Sequence, residues 1–325
     1  MSNLNFIWID DLPERESEAR NMEKSLGVTI EFKDVKNKEL INELTKIVSG
    51  KEPDLIIIDH NLEDADSGIF KKGSSAAPFI REIWPECPIV CVSAVDIRQV
   101  DGKQKSNYEE IFSIDEISKH YWEILSIAKS FYFAKENRPQ SIVDILNLLN
   151  CPEIDRHKLA SVLPTTLKDN LSDTSIILEL SDWVRNTLLK RPGFLYNTLW
   201  LSTLIGVKVE SFQKIEHNFK GALYDGIFNK DSDPRWWKSQ VMEILFEISQ
   251  MQGLPWVKGR GINGLSDQDF SVCYATEAEF PETVAYEDQS QDAKEVPVKI
   301  RETVLHPDFE SLLYFDEIRL MKAAE

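Results

Sequence analysis

Two apolar runs near the start of the chain end on carboxylates. Leu4 to Ile9 leads directly into Asp10 and Asp11, and Leu55 to Ile58 ends at Asp59 within the stretch PDLIIIDHNL. The β-branched isoleucines before Asp59 favour a strand buried on both faces. A carboxylate where such a strand emerges lies at the site-forming edge of an open α/β sheet. A single Asp at that place is also accounted for by capping of the next turn. Three carboxylates at the ends of two strands point further, to a cation site.

Other residues with chemical potential are more scattered. His217 lies beside Glu216 in a helical stretch and has the type of an acid–base group, while His157 and His306 stand alone. Gly259, Gly261 and Gly264 fall in VKGRGINGLSD with Lys258 and Arg260, a composition that could cradle a phosphate. No Gly-Lys-Ser/Thr follows and the spacing is not that of a dinucleotide fingerprint, so the segment reads as a flexible loop. An enzyme carried by this half of the chain would have to gather His217, Asp225 or the Gly259 to Gly264 segment into one concave site. Cys87, Cys91, Cys151 and Cys273 are spaced neither as a disulfide framework nor as a zinc site.

The carboxylates at the start of the chain need elements that bring strand ends together, and the pattern supplies them. Pro13 to Leu26 carries Ala19, Met22 and Leu26 at helical spacing, and Gly27 is a natural stop. Val28 to Phe32 alternates as a second strand, and Lys38 to Val48 puts Leu40, Ile41, Leu44, Ile47 and Val48 on one helical face. After Asp59 comes a polar loop with Glu63, Asp64, Asp66, Lys71 and Lys72, then a helix over Ser74 to Trp84. Pro85 and Pro88 bracket the turn into a strand, Ile89 to Val92, that ends at Ser93 and Ala94. Val95 to Asn107 is polar and holds a weak helix at best, Ile111 to Ile114 supplies a short fifth strand, and Ile117 to Ala134 is a long amphipathic helix. Short alternating strand and helix units predict a doubly wound α/β domain with a parallel sheet.

Composition bounds what such a chain can do. At 325 residues it is long enough for two cores. The formal net charge of -18 argues against a broad electrostatic grip on nucleic acid or an anionic membrane and leaves proteins, small molecules and metal ions as partners. No basic-then-apolar leader opens the sequence and no run has the length of a membrane span, so a cytoplasmic location is expected.

Over Asn3 to Lys129 the chain resembles the receiver domains of bacterial response regulators, a flavodoxin-like family. The resemblance rests on the acidic pair Asp10 and Asp11 after strand one, Asp59 after strand three, and Ser93 followed by Ala94 after strand four. It implies Asp59 as phosphoacceptor and Asp10, Asp11 and Asp59 as Mg2+ ligands with the backbone carbonyl of Asn61. It further implies Ser93 as a switch hydroxyl bonding a phosphoryl oxygen, and a histidine kinase or an effector as protein partner. One departure stands out. Receivers usually carry a lysine followed by proline at the end of strand five, where this chain has IFSIDE, Ile111 to Glu116. Asp115 occupies that edge, and Lys119 follows a turn later. Losing the cation and adding an anion disfavours a phosphorylated state, so a non-phosphorylated docking module is the alternative. Phe112 is the nearest match to the aromatic switch residue of strand five.

Glu136 to Gln140 is a polar, proline-containing hinge, placing a receiver-like domain over 1–135 and a second domain over 136–325. Helices are expected over Ser141 to Leu149, Ser172 to Leu189, Phe194 to Ile205, Glu210 to Phe228 and Pro234 to Met251. The stripe Trp183, Leu195, Trp200, Leu204 and Phe219 reads as core. No compact basic recognition helix is present, which argues against a DNA-binding output. Phe270 to Ala275, Thr283 to Tyr286 and Val296 to Thr303 are candidate strands, Glu277 to Glu295 is an acidic loop, and Asp308 to Met321 is a candidate terminal helix or strand. The second domain is thus a mainly helical output or interaction domain with a small β-containing tail.

Overall fold

The structure is a computed structural model that describes residues 4–62, 72–95, 100, 105–230, 233–288, 293–299 and 302–303. Glu63, Asp64, Asp66 and Lys71 of the polar loop after Asp59, most of the stretch Val95 to Asn107, and the segment with His306 and Asp308 to Met321 therefore lie outside the described residues. The chain forms two compact units, one of 1–144 with 165–183, the other of 145–164 with 184–325.

In the first unit the strands are β1 (Asn5–Asp10), β2 (Thr29–Asp34), β3 (Leu55–Asp59), β4 (Ile89–Ser93) and β5 (Glu110–Ser113). They pair in parallel in the order β2-β1-β3-β4-β5. That is the flavodoxin-like doubly wound order, whose switch point falls between β1 and β3. Helices α1 (Glu16–Leu26), α2 (Leu40–Val48), α3 (Gly73–Ile83) and α4 (Tyr121–Glu136) flank the sheet. Alternation along each strand sends Ile7, Ile9, Ile56, Ile58, Ile89 and Cys91 to one face, where they form a core with Leu40, Leu44 and Ile47 of α2 and Ala76, Ala77 and Ile80 of α3. On the other side α1 packs with α4. The same alternation puts Phe6, Trp8 and Asp10 of β1 on the opposite face from that core.

Three local features fix this unit. Gly27 ends α1 at φ 65, a left-handed cap that glycine adopts without a side-chain penalty, and its N–H bonds the Glu23 carbonyl at 2.9 Å. Pro78 lies inside α3 and lacks the N–H that would bond the Ser74 carbonyl; the Asn107 side chain donates to that carbonyl instead, at 3.3 Å. The returning segment is held by Arg138, which pairs with Glu86 at 2.7 Å and donates to the Asp173 carbonyl at 2.5 Å, and its helix Ile176–Trp183 packs on α4.

The second unit is mainly helical, with helices such as Glu153–Val162, Thr198–Ile205 and Lys238–Ile248. Two small antiparallel pairs complete it: β6 (Leu195–Tyr196) with β7 (Trp236–Trp237), and β8 (Thr283–Tyr286) with β9 (Glu295–Val298). Leu201, Ile205, Phe212, Phe219, Trp236, Val241 and Leu245 form its core. The expected single helix over Glu210 to Phe228 is broken into Val209–Phe212 and a 3-10 turn over Glu216–Ala222. Beyond it, a Cβ on Gly226 would lie 2.6 Å from the Leu149 carbonyl, and Phe228 sits at φ 62, so the backbone there is shaped by close packing and not by helical periodicity. The candidate strand over Phe270 to Ala275 forms only isolated bridges, Val207 with Phe270 and Val272 with Glu279. No helix among the described residues is long and apolar enough to cross a membrane.

Candidate functional site

Parallel register brings the carboxyl ends of the central strands level. Ile9 of β1 stands opposite Ile58 of β3, and Asp59 opposite Val92 of β4, so Asp10, Asp11 and Asp59 emerge side by side at one edge. Their ligand oxygens all lie within 4.8 Å of one another. Asp10 and Asp11 are buried at 1% and 4% exposure, and Asp59 is half-buried.

Each strand end is also a turn. The Asp10 carboxylate accepts the Leu12 N–H at 2.9 Å, Asp34 the Lys36 N–H at 2.9 Å, Asp59 the Asn61 N–H at 2.8 Å, and the Ser93 hydroxyl the Val95 N–H at 3.0 Å. Capping therefore accounts for an acid at three of these positions. It does not account for convergence, since Asp34 caps its turn without joining the acidic group.

Charge is the distinguishing property of the cluster. Burial raises the Asp59 carboxyl to about 7, with the Asp10 charge adding to it and the Asn61 N–H opposing. Burial likewise raises Asp10 to about 6 against the hydrogen bonds from Leu12 and Trp8. Three converging carboxylates, an all-oxygen donor set, fit a hard divalent cation such as Mg2+.

The remaining residues singled out in the sequence fall into place unequally. Ser93 is buried, and its hydroxyl is engaged with both the carbonyl and the N–H of Val95. Asn61 forms a bridge with Lys72 beside the cluster. Strand β5 ends at Ser113, and Asp115 beyond it is exposed. Lys119 points into solvent at 70% side-chain exposure and pairs with Glu116 at 2.5 Å, so it does not stand in for the missing cation. Phe112 is buried with its ring 5.0 Å from that of His120.

Sequence reasoning passed over two residues that shape the site. Gly73 opens α3 so close to β3 that a Cβ would lie 2.3 Å from the Asp59 carbonyl oxygen and 3.0 Å from the Tyr108 hydroxyl. A glycine at the end of a polar loop and the start of a helix was the available signal. Trp8, fully buried, donates its indole N–H to Oδ2 of Asp10 at 3.2 Å, and only the two-residue spacing on one strand face hinted at it.

The second unit does not assemble its candidates. His217 and Asp225 are exposed, and Asp225 pairs with the Asn150 side chain. The expected flexible loop is instead the short helix Pro255–Gly259 followed by packed turns. A Cβ on Gly259 would lie 1.7 Å from the Ile205 carbonyl oxygen, and one on Gly261 2.6 Å from the Ser249 hydroxyl, so these glycines serve close backbone packing. No hydrogen bond or ion pair joins His217, Asp225 and this segment among the described residues.

No protein-family model and no curated protein matches the chain. The N-terminal part is similar to solved response regulator receiver domains. One is the N-terminal domain of a response regulator/sensory box/GGDEF protein from Carboxydothermus hydrogenoformans, at 21% identity and TM-score 0.33, covering 40% of this chain and 98% of that one. Another is a two-component response regulator from Clostridium difficile, at 18% identity and TM-score 0.32, covering 39% and 97%. A third is the response regulator TrrA from Thermotoga maritima, solved in complex with Mg2+ and BeF, at 18% identity and TM-score 0.30, covering 37% and 98%. At these values the assignment of fold rests on the strand order above, and the reading of the site on its own geometry.

Proposed function

We propose that the first unit is a signal receiver in which Asp59 accepts a phosphoryl group at a Mg2+ site formed by Asp10, Asp11, Asp59 and the backbone carbonyl of Asn61. The state of this site would govern which protein partner the chain engages, a histidine kinase serving as donor or an effector as target. The observation that carries this reading is the convergence of three carboxylates within 4.8 Å at the carboxyl edge of a parallel sheet.

The chain's own groups divide the work. A carboxylate oxygen of Asp59 attacks phosphorus, and a P–O bond forms as the bond from phosphorus to the leaving group breaks. The Asn61 N–H holds Oδ2 of Asp59, which leaves Oδ1 as the nucleophile. Asp10 and Asp11 supply the negative charge that draws the cation beside it. A bound divalent cation offsets the repulsion between the Asp59 carboxylate and the incoming phosphoryl oxygens, and favours the ionised form of Asp59. Ser93 would bond a phosphoryl oxygen only after exchanging its present contacts with Val95. Incubation with Mg2+ and a small phosphodonor should add one phosphate to the intact mass, and Asp59→Asn should abolish it.

A second reading is favoured by the end of β5, where Ile114 is buried, Asp115 is exposed and Lys119 is paired away. With no lysine at the end of β5 to meet a phosphoryl group, the unit would serve as a docking module whose cation site is never phosphorylated. Mg2+ binding without any phosphate on the intact mass would select this alternative.

A further inference from the structure

We infer that Trp8 is the positioning residue of the cation site and biases it toward Mg2+ over Ca2+. This rests on the cation site proposed above and adds to it the device that orients its most buried ligand. Trp8 and Asp10 are two residues apart on β1 and so share a face of the sheet. The indole has no solvent exposure and stands in register between Phe32 of β2 and Ile57 of β3. Packed on both sides, it cannot swing away, and its N–H reaches Oδ2 of Asp10 at 3.2 Å. The Leu12 N–H takes Oδ1 at 2.9 Å. Asp10 thus has a donor on each of its oxygens.

Strand packing alone does not call for an indole here. Its neighbours on the same face, Phe6 of β1, Phe32 of β2 and Ile57 of β3, are side chains that bring no polar atom. An indole N–H buried in a core must find an acceptor, and this one finds a carboxylate of the acidic group. The indole is a donor only and cannot ligate an ion, so its influence passes through Asp10. Two donors hold the carboxylate plane in one orientation. Mg2+ requires short bonds in near-ideal octahedral geometry, whereas Ca2+ accepts longer bonds, more ligands and flexible arrangements. A carboxylate fixed in place therefore favours Mg2+, and releasing one of its oxygens costs Mg2+ more than Ca2+.

The test is the affinity of the full chain for each ion, by calorimetric titration, in the unmutated protein and in Trp8→Phe. The expected result is an affinity for Mg2+ about tenfold or more weaker in the variant, the usual scale for a partner that orients a ligand. The Ca2+ affinity should change much less, so that the preference narrows. A purely structural role would move both ions together, and equal losses, or no loss, would overturn the inference while leaving the cation site standing. If the unmutated chain binds neither ion, the cation site itself fails and the role of Trp8 with it. Should Trp8→Phe not fold, the indole N–H resonance of Trp8 in the unmutated, 15N-Trp-labelled chain gives the answer. Substituting benzothienylalanine at position 8, which keeps the ring shape and loses the N–H, identifies that resonance. It should shift on saturation with Mg2+, and an unmoved resonance would overturn the proposal.

Discussion

Two buried carboxylate sites, one in each unit, meet the same problem with opposite solutions. In the second unit Asp269 accepts the Ser211 hydroxyl at 2.7 Å, the Lys214 ammonium at 2.5 Å, and both the N–H and hydroxyl of Ser266 at 2.9 Å. These partners, Lys214 first, hold its carboxyl well below the usual carboxylate range. In the first unit Asp10 and Asp59 face each other and Asp11, and burial drives both upward. A carboxylate satisfied by its own chain is a structural fastener, in this case joining the segment at 208–214 to the turn at 266–269. A group of carboxylates left with surplus negative charge is a place for something from outside the chain.

Mutation of the fastener should give the largest effect. Asp269→Ala strands the buried Ser211 hydroxyl and unties Ser266 and the half-exposed Lys214 ammonium, and it should lower the melting temperature of the full chain by more than Gly73→Ala does. Unchanged melting would erase the contrast between the two sites. Next comes Gly73→Ala itself, which forces a methyl against the Asp59 carbonyl and should destabilise the first unit by about 2–4 kcal/mol in denaturant titration. Asp59→Asn should act in the opposite direction. Without added cation at pH 8 it relieves a raised, charged carboxyl, and a gain on the order of 1–2 kcal/mol is expected, less than half of what the full shift gives at about 1.4 kcal/mol per pKa unit because the carboxyl is only half-buried. A loss of stability in Asp59→Asn would mean that the cluster is compensated in a way its geometry does not reveal.

The pH dependence separates the two sites by sign. Asp269 has a depressed folded-state pKa, so its contribution is present above the unfolded value of about 4 and is lost as pH falls below it. Asp10 and Asp59 have raised values, about 6 and about 7. The folded state then holds protons that the unfolded chain has released, and stability is lost as pH rises from about 4 to about 7. Thermal melts without divalent cation should show the first unit weakening across that window, and Mg2+ should restore more stability at pH 8 than at pH 5. The smallest effect belongs to Asp34→Ala, which removes a turn cap outside the cluster and should cost about 1 kcal/mol with no change in the Mg2+ response.

Much of the first unit was legible in the sequence because buried parallel strands are written as continuous apolar runs. Leu55 to Ile58 and Ile89 to Val92 could be read directly, and each ended on the residue that the site later needed. The two-residue turns at those ends were legible too, since Asp and Ser bond their own backbone two residues on. Trp8 was not, because an indole in an apolar run looks like bulk until its N–H is seen to have a partner. Gly73 was passed over for a related reason, as its value lies in how near another strand's carbonyl comes. In the second unit the helices at Thr198–Ile205 and Lys238–Ile248 followed periodicity. The stretch over Glu210 to Phe228 did not, because Gly226 and Phe228 answer to packing against Leu149 and its surroundings.

The sequence by itself determined the alternation of strands and helices, the acids at the strand ends and the absence of a lysine after strand five, since each is a matter of residue type and near spacing. Only the tertiary structure decided that Asp10, Asp11 and Asp59 share one small volume, that Asp34 stands outside it, and that Lys119 pairs with Glu116. It also decided that the glycines of 259–264 close a backbone contact, where composition alone left a phosphate loop open. The physical reason is common to all of these. Burial, desolvation and the pairing of charges depend on distances between residues far apart in the chain, and those distances exist only once the strands are in register.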